Sequence, residues 1–253
     1  MKRGVVPLAA LLLFSACSDS RGGAEPRTLT VSAAASLTDA FSDIGKTFEA
    51  EHDGVTVSFN FGPSDGLVGQ IDEGAPVDVF ASASPRWMDA VDTDGPGVTD
   101  RRDFARNRLA VIVPSDNPAR ITGIGDLGER GVKLVLAAEG VPAGDYAREA
   151  LASAGVEDAA LANVVSNEQD VKGVVTKVLS GDADAGIVYV TDVTADVSGL
   201  VKLIGIPDDV NVIATYPIAV VSGTKEAGLA RSFVDLVLGA GQRTLARYGF
   251  LPA

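Results

Sequence analysis

Cysteine, histidine and positive charge are scarce in this sequence of 253 residues. Cys17 is the only cysteine, so no disulfide can form within the chain. His52 is the only histidine, and Glu51-His52-Asp53-Gly54 reads as a surface turn at a helix end. Serine nucleophiles therefore have no second imidazole to act as a base. Metal-ligand clusters of the familiar spacings and a P-loop glycine pattern are also missing. Lys and Arg total 21 against 34 Asp and Glu, a formal net charge of -13. Nucleic acid is excluded as a partner on that balance, because its phosphates need basic contacts. The small basic spot Arg101-Arg102 reads as solvated surface. These shortages point away from an enzyme and from a resident cofactor.

The N-terminus carries a compartment signal. Met1-Lys2-Arg3 is a positive start, residues 5–14 are an apolar run interrupted by Pro7, and Ser15-Ala16 are small residues before Cys17. That order is an export signal, with residues 1–16 as the removed peptide. The apolar run is too short to span a bilayer as a mature helix. Leu13-Phe14-Ser15-Ala16-Cys17 resembles a bacterial lipoprotein box, although Phe14 stands where the box usually carries leucine. The resemblance implies cleavage before Cys17 and lipidation of that residue. Residues 17–26 then read as a lipidated tether of Ser, Gly and charged residues. The expected location is the outer face of the cell membrane, held by a lipid anchor.

The remainder alternates strands and helices. Residues 29–33, 55–59 and 77–81 read as strands, with helices over 37–51 and 67–72. In the longer helix Leu37, Ala40, Phe41, Ile44 and Phe48 fall at helical spacing. A second series follows: strands at 109–113, 134–137, 185–190 and 216–221, and helices at 145–154, 171–179 and within 229–248. Repeated strand–helix units predict an α/β fold with largely parallel sheets. The length suits two lobes of about 110 residues each. Trp87 and Met88 are expected to pack against the first of them.

Four helix starts share a feature. Ser36 precedes Leu37-Thr38-Asp39, and Ser64 precedes Asp65-Gly66-Leu67. Pro142-Ala143-Gly144 precedes Asp145-Tyr146, and Asp170-Val171 opens the helix through Lys177. Helix starts leave main-chain N–H groups without partners and favour a negative group. Ser36 and Ser64 are also good N-cap types, so each start alone reads as an ordinary cap. Four together at sheet edges point to an anion site without naming the anion.

The residues that name it lie in an ordered set. Ala33-Ala34-Ala35-Ser36-Leu37-Thr38-Asp39-Ala40-Phe41, Asn60-Phe61-Gly62-Pro63-Ser64 and Gly74-Ala75-Pro76-Val77-Asp78-Val79-Phe80-Ala81 come first. Val141-Pro142-Ala143-Gly144-Asp145-Tyr146, Gln169-Asp170-Val171-Lys172, Gly186-Ile187-Val188-Tyr189 and Arg247-Tyr248-Gly249-Phe250 follow. In this set the chain resembles the periplasmic molybdate-binding proteins of ABC transporters, across nearly the whole mature length. The resemblance implies the two-lobed periplasmic binding protein fold (type II), each lobe a mainly parallel sheet flanked by helices. It places lobe I at residues 27–107 and 215–253 and lobe II at 108–214, a boundary that composition does not mark. It implies a cleft site in which Ser36 and Ser64 offer hydroxyl and N–H, Ala143 and Val171 offer N–H, and Tyr189 offers its hydroxyl. The implied ligand is molybdate, with tungstate inseparable from it. The implied partner is an ABC permease, and the chain itself is expected to be a monomer.

An acidic chain sits oddly with a dianion ligand, and neutral donors remove the difficulty. A hydrogen bond to a charged group contributes about 1.5–3 kcal/mol net, so several offset the desolvation of a small anion. Two residues depart from the family's usual pattern. Asp65 stands where relatives carry a small polar residue, and is expected to point to solvent. Pro63 removes one N–H beside Ser64 and is expected only to stiffen the turn. The alternatives are another tetrahedral oxyanion such as sulfate, or an enzyme on the same two-lobed fold. The enzyme would need a base that the lone His52 does not supply. A cytoplasmic sensing module is disfavoured by the export signal.

Overall fold

The computed structural model describes residues 26–253. The export signal, Cys17 and all of the tether except Pro26 lie outside the described residues.

Strands β1 (Arg27–Ala34), β2 (Val55–Gly62) and β3 (Val79–Ala81) form a parallel set in the order β2-β1-β3. Their registers bring Ala34, Gly62 and Ala81 out at one edge. Helix α1 (Thr38–Glu51) buries Ala40, Phe41, Ile44 and Phe48, the stripe expected from the spacing. Helix α2 (Ser64–Asp72) buries Leu67, Val68 and Ile71. Helix α3 (Pro85–Thr93) had no sequence counterpart. Pro85 begins it, where a missing N–H costs nothing, and Met88 and Val91 supply its buried face.

A second parallel set consists of β5 (Leu134–Ala137), β6 (Val164–Glu168) and β7 (Ala185–Tyr189), in the order β7-β5-β6. Helix α4 (Pro142–Ser153) follows β5, and the short α5 (Glu157–Leu161) precedes β6. Helix α6 (Val171–Leu179) follows β6. Both sets thus end in helix starts at the carboxyl ends of their strands, where α/β sheets present ligand sites.

One long strand joins them. β4 (Val98–Pro114) pairs antiparallel with β9 (Ile213–Val221) as far as Arg108. From Leu109 onward it pairs antiparallel with β7, and from Ala110 also with β8 (Val201–Gly205). β9 returns the chain beside β3, so both sheets gain antiparallel pairs where the chain crosses. The reading from sequence placed only residues 109–113 in this strand. The first part was hidden because Asp100-Arg101-Arg102-Asp103 is polar and irregular. Register shifts between Thr99 and Arg102 and between Asp103 and Ala105 accommodate that run, with Asp100 at φ 55. Helices α7 (Ala227–Leu238) and α8 (Gly241–Arg247) close the chain. Phe41 and Phe48 of α1 meet Phe233 of α7 at ring separations of 5.9 and 5.4 Å. Those contacts tie α7 to α1.

Candidate functional site

The two parallel edges face each other across a small cavity of about 20 Å³. Ala34, Ala35, Ser36, Gly62, Pro63, Ser64 and Ala83 line it from the first set. Val141, Pro142, Ala143, Asp170, Val171 and Tyr189 line it from the second. The structure therefore brings all five residues singled out from sequence to one wall-to-wall site. Its volume admits one compact ion and not a metabolite; a single water needs roughly 10–15 Å³ on the same scale.

Neither serine is spent as a helix cap. Ser36 sits within a 3₁₀ turn, Ala35–Leu37, ahead of α1, and its Oγ lies 2.9 Å from Tyr216 Oη. Ser64 is the first residue of α2, after Pro63 at the N-cap, and makes no capping bond. Its Oγ accepts from the Ala83 N–H at 3.1 Å, which leaves its hydrogen free. Both serines are buried.

The second wall supplies main-chain donors. Ala143 is the second residue of α4, after Pro142. Val171 is the first residue of α6, whose N-cap Asp170 accepts from the Gly173 N–H at 2.9 Å. Among the described residues, neither Ala143 N–H nor Val171 N–H has an acceptor. Gly144 lets α4 begin this close to β5: a Cβ there would meet Ala138 O at 2.2 Å and Ala137 O at 2.4 Å. Asp145 fixes the preceding loop, its Oδ1 accepting from the Gly140 N–H at 2.7 Å.

Tyr189 ends β7, is 1% exposed, and among the described residues its Oη makes no hydrogen bond. Burial pushes its hydroxyl well above the ordinary tyrosine range, so it remains a neutral donor. Among the described residues, no Lys or Arg lines the cavity. The nearest in sequence, Lys172, pairs instead with Asp39 at 3.1 Å and with Asp192 at 3.6 Å. Asp192 is buried and its Oδ2 accepts from the Tyr189 N–H at 3.1 Å, which holds the end of β7. Burial, only partly countered by Lys172, pushes the Asp192 carboxyl up to about 6.

Contacts between the two walls hold the cleft shut. Trp87 Nε1 donates to Gly140 O at 2.8 Å, and Arg86 pairs with Asp145 at 3.3 Å. The Lys172–Asp39 pair closes the other side. Met88 and Trp87 both pack against the first lobe as expected, and Trp87 also reaches across the cleft. Asp65 departs from its expected place. It is half-buried, its Oδ1 is enclosed without a partner, and its Oδ2 lies 3.9 Å from where a Cβ on Gly140 would sit. Helix α2 begins at the cleft, so the side chain lies at its rim, partly exposed and with Oδ1 enclosed. Pro63 lines the cavity with φ -65, the value its ring prefers.

Sequence reasoning missed Tyr216, Asn107 and Ala83. Tyr216 looks like one more core aromatic on an apolar strand. Ala83 acts only through its N–H. Asn107 offered the one available signal, a polar residue at the point where β4 changes partners.

The sequence profile described as "Bacterial extracellular solute-binding protein" matches residues 29–251. The molybdate-binding protein ModA of Mycobacterium tuberculosis H37Rv is 35% identical over 258 residues, covering 99% of this chain and 97% of that protein. The molybdate-binding protein ModA of Escherichia coli K12 is 36% identical over 235 residues, covering 90% of each. The periplasmic molybdate-binding protein of Azotobacter vinelandii shares the fold, with a TM-score of 0.77 at 20% identity over 89% of this chain and 99% of that one.

Proposed function

We propose that this chain, which belongs to the bacterial extracellular solute-binding protein family, captures molybdate outside the cytoplasmic membrane and delivers it to an ABC permease. The observation that carries this reading is the ring of neutral donors around a cavity of about 20 Å³. Ser36, Ser64 and Tyr189 contribute hydroxyls, and Ala143 and Val171 contribute N–H groups at helix starts. Oriented dipoles replace the water shell of the dianion, and being fixed by helices they need little reordering when it enters. Tungstate, close to molybdate in size and shape, binds in the same way. The acidic surface keeps the protein soluble and gives the ligand no long-range attraction. The ligand is cargo and no cofactor is required, and the chain works as a binding protein without catalysing a reaction.

In this reading residues 27–107 and 215–253 form one lobe and residues 108–214 the other, moving about the strands that cross between them. Molybdate touches both walls and so favours the closed state by contacts that the open state lacks. The chain acts as a monomer, and Cys17, once lipidated, holds it at the membrane near its permease. Labelling with a radioactive fatty acid tests the anchor, and an unlabelled protein refutes it. The central experiment is calorimetric titration with molybdate, tungstate, sulfate and phosphate. Tight binding of molybdate and tungstate is expected, and failure to bind either one overturns the assignment.

A further inference from the structure

Behind Ser36 lies a buried chain of polar groups outside the cavity lining. Asn107 is fully buried on β4, at the crossing between the sheets. Its Oδ1 accepts from the Arg108 N–H at 3.0 Å. A main-chain N–H can only donate, so this bond fixes the amide's orientation and leaves Nδ2 facing inward. Nδ2 donates to Thr191 Oγ1 at 2.7 Å and, over a longer 3.5 Å, to Tyr216 Oη. Tyr216 is also fully buried, and burial keeps its hydroxyl protonated. Its one hydrogen needs an acceptor, because a buried donor left unpaired is costly. Asn107 Nδ2 cannot accept. The Tyr189 hydroxyl also lies close to Tyr216 but makes no hydrogen bond in this geometry, so the acceptor in hydrogen-bond geometry is Ser36 Oγ at 2.9 Å.

We infer that Tyr216, oriented by Asn107, is a positioning residue that sets Ser36 as a hydrogen-bond donor to the bound oxyanion. The order of donation runs Asn107 to Tyr216 to Ser36, so the serine hydrogen is the one left to face the cavity. A lone serine hydroxyl can turn either a hydrogen or a lone pair to a ligand. A lone pair facing a dianion would be repulsive. The relay removes that option without placing a charge near the site, and bonds in such a chain polarise one another. The inference rests on the proposed function, in that the bound group is taken to be an oxyanion.

A double-mutant cycle tests it, using the purified chain, Ser36→Ala, Tyr216→Phe and the double variant. Tyr216→Phe keeps the ring that packs against Tyr189, Phe104 and Phe250 and removes only the hydroxyl. Molybdate affinity is expected to fall about fivefold to tenfold in Tyr216→Phe. The double variant is expected to bind within about twofold of Ser36→Ala alone, since the tyrosine acts only through that serine. A purely structural role would make the two losses multiply and would lower the melting midpoint of the unliganded variant in parallel. Either that result, or wild-type affinity in Tyr216→Phe, overturns the inference. If the unsubstituted chain binds sulfate and not molybdate, the proposed ligand fails and the cycle is read with sulfate. If it binds no oxyanion, both fail.

Discussion

Lys172 reaches across the cleft to Asp39, their charged atoms 3.1 Å apart, while its other side faces buried Asp192 at 3.6 Å. The two partners differ in exposure, at 43% for the Asp39 side chain and 0% for that of Asp192. A solvent-exposed pair contributes at most about 1 kcal/mol, so Asp39→Asn is expected to weaken molybdate binding by less than about fivefold. Lys172→Met strands a buried carboxylate and is expected to cost about 3 kcal/mol of folding stability. Urea unfolding of both variants checks the contrast, and equal losses would refute it.

Asp192 also predicts a pH dependence. Its carboxyl is raised from 3.8 to about 6 by burial, so the folded chain holds a proton more readily than the unfolded one. The associated stability is fully present below about pH 4 and is lost as the pH rises through about 6, on the order of 3 kcal/mol in all. Asp192→Asn keeps an acceptor for the Tyr189 N–H and removes this titration. Unfolding free energies at pH 4.5 and 7.5 are expected to differ less in the variant than in the parent. An unchanged difference would assign the effect elsewhere.

Two hydroxyls of the same ring are expected to separate binding from stability. Tyr189→Phe deletes a buried hydroxyl that makes no hydrogen bond among the described residues, so affinity should fall about tenfold without loss of stability. Ser64→Ala leaves the buried Ala83 N–H unpaired, so it should lose at least about 1 kcal/mol of both affinity and stability. Calorimetry and thermal melts on the pair decide this; a stability loss in Tyr189→Phe would count against its free hydroxyl.

Asp65 changes sign relative to its sequence reading. A solvent-facing carboxylate would let Asp65→Ser alter affinity by less than about threefold. Closure instead encloses Oδ1 without a partner, which taxes the closed state. Asp65→Ser is therefore expected to tighten molybdate binding by about threefold to tenfold. Unchanged or weaker binding would return the carboxylate to solvent.

Gly144→Ala should be the most damaging small substitution near the site. The added methyl would meet two carbonyl oxygens at 2.2 and 2.4 Å, so α4 must move away from β5 and carry Ala143 with it. Loss of molybdate binding with a lowered melting midpoint is expected. A variant with native affinity would show that the helix start tolerates the shift.

Much of the fold was legible in periodicity. The apolar stripe of α1 and the strand at Leu134–Ala137 were placed from spacing and composition alone. α6, Val171–Leu179, was legible because its apolar stripe is closed by Gly181. The polar start of β4 and helix α3 were not legible. In both, long-range pairing or packing outweighs local pattern. The five ring positions were found through family resemblance. Helix starts together suggested an anion, but singly Ser36 and Ser64 read better as ordinary caps.

What the sequence determined by itself is the alternation of strands and helices, the acidic balance, and the presence of a single histidine. Those are properties of composition and of order along the chain. The tertiary structure decided which groups point inward. It freed Ser36 and Ser64 from capping and left the Tyr189 hydroxyl without a hydrogen bond among the described residues. It placed Asp65 at the rim of the cleft and set Tyr216 and Asn107 behind Ser36. These placements depend on groups far apart along the chain coming together, as Ser36 and Tyr216 do across 180 positions, which no local pattern encodes.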